Sequence, residues 1–216
     1  MPLEALASMV VMAERNEEGM KFDYKSKPCD EKSLQIIHVG THDGMTVFLY
    51  ADVLEELIFY AKDKDAFGLL MGNAYLDNAF LSEKKADNSD SVPPEKETDC
   101  EVDIPDFVEI TAFKDVYPVS DALDYADHLR KMRNFRDTES ESLCLGAVCL
   151  TSKAVDITLE CLYLLRTYFD VPSQVLLFVS ADGTKPRAYQ LGKNMALIEI
   201  GLEIVCIRGE PLPFAE

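Results

Sequence analysis

The 216-residue chain carries 39 Asp and Glu against 21 Lys and Arg, a formal net charge of −18, and 48% of its residues are apolar. That is enough apolar material for one domain with a full core. The acidic balance argues against binding phosphate backbones or anionic membrane surfaces, which need clustered Lys and Arg, and no apolar run reaches the ~18 residues of a membrane span.

Residues 1–33 read as an arm or docking segment: a short apolar helix candidate, "LEALASMVVMA", followed by a charged stretch. Met1 to Met12 has an early Glu4 and no basic n-region, so no secretory signal is expected. "SLQIIHVG" and "MTVFLY", separated by "THDG", read as a hairpin over 34–50. "ADVLEELIFYAKDKD" follows as a helix, with Leu54, Leu57, Ile58 and Ala61 on one face and Asp52 as its N-terminal cap. "AFGLLMGNAYL" is a buried strand in which Gly68 and Gly72 signal a bulge or a close backbone approach.

Residues 82–106 are acidic and punctuated by proline, the composition of a mobile loop. Strand character resumes in "FVEITAFKDVYPV", so the loop is expected to join adjacent strands. "SDALDYADHLRKMRNF" reads as a helix capped by Ser120. Residues 143–150 form a strand, 151–154 a turn and 155–169 a helix. "QVLLFVS" is a central strand by its continuous apolar run. "ADGT" is a turn, "RAYQL" a strand, and "MALIEIGLEIVCI" one or two more. This order predicts a mixed central sheet flanked by helices, an α/β or α+β fold, over residues 34–210, with 211–216 as a tail.

The candidate chemistry is sparse. His38 and His42 form HxxxH, a spacing that brings imidazoles together on a helix, but "IIHVGTHDG" is strand and turn. His128 stands apart. Of the six cysteines, Cys29, Cys100, Cys144, Cys149, Cys161 and Cys206, none forms a CxxC pair, and four lie inside apolar runs. A reducing, cytoplasmic protein without structural disulfides is expected, although the even count leaves disulfides open. Cys149 as a nucleophile would need a nearby base and a lowered pKa; otherwise it is a core cysteine. Ser152 lacks the GxSxG elbow. "GLLMG" is no phosphate loop, and aromatic residues are not interleaved with basic ones, so no nucleic acid is expected.

Several stretches together resemble the MPN (JAB/JAMM) domain family over roughly residues 45–208. They are "VFLYADVLEELIFYAKDKDAFGLLMG", "VEITAFKDVYPV", "LGAVCLTSKAVDIT" and "PSQVLLFVSADGTKPRAYQL". The resemblance implies a layered, cytidine-deaminase-like sheet flanked by helices. Active members hold zinc through two histidines and an aspartate, with a glutamate as base for the attacking water and a serine supporting the oxyanion. Matched from Gly146, Cys149 falls on the first histidine, Leu150 on the serine, Thr151 on the second histidine and Ser152 on the proline. Asp156 matches the aspartate after a shortened loop. Asp65 sits at the glutamate position, one methylene short. Asp156 also has a plain role as cap of the 155–169 helix.

The resemblance therefore implies a metal-free, cofactor-free, non-catalytic scaffold acting as a subunit or dimer in an assembly. Asp65, Cys149, Thr151 and Asp156 would be vestigial positions. Apolar residues outside the single stripe a sheet-covering helix needs mark Phe59, Leu164 and Tyr168 for contact with a protein partner or a second copy. The alternative is a hydrolase, either a divergent JAMM-type zinc isopeptidase or peptidase, or a Cys149-dependent enzyme.

Overall fold

The computed structural model describes residues 23–25, 27–28, 33–39, 44–63, 65–77, 105–118, 142–152, 163, 166–167, 169, 174–192 and 196–209. They form strands β1 (Asp23–Lys25), β2 (Leu34–His38), β3 (Thr46–Tyr50), β4 (Ala66–Asp77), β5 (Phe107–Pro118), β6 (Leu143–Thr151), β7 (Val175–Ser180), β8 (Arg187–Leu191) and β9 (Leu197–Ile207). Helix α1 (Ala51–Ala61) joins β3 to β4.

Seven strands close on themselves in the order β4-β5-β3-β9-β8-β7-β6, with β6 pairing back onto β4. This corrects the expected fold class. The described residues form a closed β-barrel, not an α/β or MPN-like layered sheet flanked by helices. Twelve-residue β4 carries β5 along one edge, from Ala66 to Tyr75, and β6 along the other, from Ala66 to Gly72. The seven-strand ring therefore has no edge strand of its own where an open layered sheet would have two.

β1 and β2 complete the pairing where the barrel strands run out. β4 continues past the start of β6, and Tyr75–Asp77 pair in parallel with β1. β9 continues past β8, and Glu203–Ile207 pair antiparallel with β2. The predicted 34–50 hairpin does not occur: β9 lies between β2 and β3, pairing Val205 with Ile36 on one side and with Tyr50 on the other. Alternation in two neighbouring segments signals two strands, but not which strand each will pair with. β4 and β5 do pair, as expected of strands joined through 82–106.

Alternation along each strand sends one set of side chains inward. Val47, Leu49, Val108, Ile110, Val148, Leu150, Leu177, Val179, Leu202 and Ile204 fill the interior. β3 ends, and β4 begins, at the same mouth of the barrel, so α1 lies across that mouth. It turns Val53, Leu54, Leu57 and Ala61 into the interior core. Each large side chain so buried contributes roughly 1.5–3 kcal/mol. The N-cap is Tyr50 rather than the expected Asp52. The helix starts directly from the strand, which places the Asp52 carboxylate in the first turn, where the helix dipole favours it.

Two further clusters, also buried, lie on the outward faces of the strands. Phe67, Leu69, Met71, Ala147, Cys149, Leu176 and Phe178 pack with Phe169 on β4, β6 and β7. Phe48, Phe107 and Val205 pack on β3, β5 and β9.

Two glycines allow the barrel walls to meet. A Cβ on Gly72 would lie 1.9 Å from the Glu109 carbonyl oxygen, beside a register shift between β4 and β5. This is the close approach read from the sequence. Gly146, at φ +132°, sits against β7, and a Cβ there would lie 2.0 Å from the Val175 carbonyl oxygen. Among the described residues no helix is long and apolar enough to cross a membrane.

The arm at 1–33 is described only in part, and β1 lies within it. Most of the 82–106 loop, the 120–135 helix and the 211–216 tail lie outside the described residues.

Candidate functional site

β6 and β7 run parallel and β4 runs against β6, so the ends of β6 and β7 and the start of β4 share the mouth that α1 crosses. This topology brings together several residues singled out from the sequence. The Asp65 carboxylate, just before β4, accepts the Ser152 backbone N–H at 2.9 Å and the Ser152 hydroxyl at 3.4 Å. Thr151 pairs with Ser180 across β6 and β7, and both are buried. Ser180 donates its hydroxyl to Asp182 Oδ1 at 2.8 Å, and the same oxygen accepts the Thr184 hydroxyl at 2.6 Å and the Thr184 N–H at 3.0 Å.

The Ser152, Ser180 and Thr184 hydroxyls and the Asp65 and Asp182 carboxylates bond to one another and to backbone as strand-end and turn locks. Asp65 lies near the expected junction but acts there as a cap on the chain after β6. Among the described residues no group of three His, Cys, Asp or Glu side chains could hold a metal ion. His38 is a strand residue, with Nδ1 3.7 Å from Glu203 Oε1. Asp156, His42 and His128 lie outside the described residues.

Cys149 is buried on the outer face of β6 and is disulfide-bonded, whereas Cys144 and Cys206 form no disulfide. Its partner lies outside the described residues. This corrects the expectation of a chain without structural disulfides. Pairing requires Cα atoms about 4.4–6.8 Å apart, a proximity that spacing along the chain does not reveal. In the disulfide, Cys149 offers no thiolate to a substrate or a metal. Burial pushes the Cys144 thiol up, and its Sγ donates to the Gly146 carbonyl oxygen at 3.8 Å. It too is poorly suited to nucleophilic attack.

A second polar centre has no counterpart among the residues that the sequence marks out. Glu109 is only 2% exposed although it points to the outer face of β5. Lys25 on β1 donates to its Oε2 at 2.6 Å, and the Tyr50 hydroxyl lies 3.4 Å from its Oε1. The Lys25 ammonium also stands 5.1 Å from the centre of the Tyr75 ring. The one signal in the sequence is a single acid inside the apolar run "FVEITAF". The Lys25 side chain is 39% exposed, so water screens part of the attraction. Lys25→Met is expected to cost about 1–2 kcal/mol, below the range for fully buried pairs, as read from urea denaturation. A midpoint unchanged from the parent would show that Glu109 does not need this partner.

The remaining feature at the α1 mouth is aromatic. Phe59 is 65% exposed and Tyr60 48% exposed, although the opposite face of the helix is fully buried. The Phe59 and Tyr60 rings stand edge to face at 6.3 Å, and Tyr60 meets Phe113 of β5 edge to face at 5.5 Å. The exposure of Phe59 agrees with its position outside the apolar stripe; helical spacing does not point to Tyr60 or Phe113. Leu164 and Tyr168 lie outside the described residues, but Tyr163 in the same segment is exposed. Compared with protein-family models and with curated proteins, the chain matches neither.

Proposed function

We propose that the chain is a non-catalytic protein-interaction module that docks its partner through the aromatic face of α1. The exposed Phe59 and Tyr60 rings, with Phe113 half-buried beneath Tyr60, carry this reading. An isolated exposed apolar side chain is ordinary, but two adjacent exposed rings on a helix whose other face is anchored in a core, continued by a half-buried ring on β5, suit an interface. Aromatic anchors of this kind contribute a large share of binding energy where they become desolvated. The polar groups at the same mouth support a non-catalytic role, because their hydrogen bonds are used within the strand ends.

The test is the size of the particle in which the protein travels. Isolated from its own cells, the wild-type chain is expected to run in light scattering as an assembly heavier than its 24.2 kDa. Phe59→Glu should return it to the mass of a single chain without lowering its melting temperature. A wild-type protein that is strictly monomeric, and indistinguishable from the variant, would overturn the reading.

A further inference from the structure

The charges around the aromatic ladder restrict what can dock there. On the helix surface Phe59 has Glu55 and Glu56 one turn before it and Lys62 and Asp63 one turn after it. All four are exposed, as are Asp52 at the start of α1 and Asp65 just beyond its end. The apolar patch is therefore rimmed mainly by carboxylates, with Lys62 as the one opposing charge among these positions. A two-fold interface would place this patch on its own copy, bringing two rims in which Glu55, Glu56 and Asp63 outnumber Lys62 into one contact. Like charges across an interface disfavour that pairing, and the net charge of −18 adds to the repulsion.

We infer that the α1 face receives a cationic amphipathic segment of another protein, with apolar side chains on the rings of Phe59, Tyr60 and Phe113 and Lys or Arg on the carboxylate rim. The inference rests on the proposed docking role of α1 and adds the chemistry of the partner. An amphipathic helix or strand presents an apolar row with charges on either side, which matches a short aromatic ridge between acids.

Fluorescence anisotropy with the full chain tests it. The probe is a synthetic helical peptide of about 18 residues with Leu at i, i+3, i+4 and i+7 and Lys on its polar face. Its control carries Glu in place of Lys. The cationic peptide is expected to bind and the anionic one not. Phe59→Ala, which changes no charge, should weaken binding on the order of tenfold or more. Glu55→Gln with Glu56→Gln should also weaken it and flatten its dependence on salt. Glu199→Gln, on the outer face of β9, should leave it unchanged.

Three results would overturn the inference. If Glu199→Gln weakens binding as much as the α1 substitutions, the peptide is held by diffuse charge alone. If both peptides bind equally and Phe59→Ala releases both, the partner is not selected for positive charge, while aromatic docking stands. If Phe59→Ala alters neither, the docking role of α1 falls as well.

Discussion

Gly146→Ala is expected to destabilise the protein by about 4 kcal/mol or more, in the range reserved for severe single substitutions. Two costs combine at this position. The backbone sits at φ +132°, where an L side chain is strained. The new Cβ would also lie 2.0 Å from the Val175 carbonyl oxygen and 2.7 Å from its nitrogen. Both obstacles are backbone atoms of the adjacent barrel strand, so no side-chain rotation relieves them, and β6 must separate from β7. Gly183→Ala separates the two costs. Gly183 has φ +85°, but a methyl there would meet nothing within 4 Å, so the substitution should cost only about 1–2 kcal/mol. Urea denaturation of both variants checks the result, and equal costs would show that the β6–β7 contact yields.

Leu54→Ala is expected to cost about 2–5 kcal/mol. Leu54 is fully buried where α1 crosses the barrel mouth, beside Val53 and Leu57. Strands from around the ring converge there, and a closed wall cannot move inward at one point without disturbing its neighbours. The cavity should therefore persist, placing the cost in the upper half of that range. Thermal and urea unfolding measure it. A loss below about 1 kcal/mol would indicate that α1 rests loosely on the mouth.

Most strand positions are legible in the sequence because burial leaves a local trace. The unbroken apolar run of β7 reflects burial on both faces, and its six residues are all buried. Gly72 is legible as a close approach because a glycine amid large apolar residues has little else to do there. The burial of Leu54, Leu57 and Ala61 and the exposed position of Phe59 follow from helical spacing, whereas Val53 is buried and Ile58 only half-buried. Closure leaves no such trace. The same alternation describes an open sheet and a ring, and only the pairing of β6 with β4 distinguishes them. The layered expectation fails at that point.

The candidate site is legible in part for the same reason. Tyr60 and Phe113 meet across more than fifty positions of sequence, and Lys25 reaches Glu109 across 84. Neither pairing has a periodicity to announce it. The disulfide at Cys149 likewise depends on which cysteine the fold brings near. By contrast, Asp65 and Ser152 both stand out at strand ends, but their hydrogen bond gives the pair an architectural use rather than a chemical one.

The position of β3 has a consequence for synthesis of the protein on the ribosome. β3 lies between β5 and β9, and Thr46–Tyr50 take their second set of partners from Gly201–Val205. A nascent chain can have made β3 through β8 and still lack the strand that completes the ring. Until residue 205 emerges, Val47, Phe48 and Leu49 lie along an uncovered edge, the kind of template on which unfinished chains associate. The closed wall that leaves the finished barrel without such an edge thus concentrates the hazard in the interval before the last strand arrives.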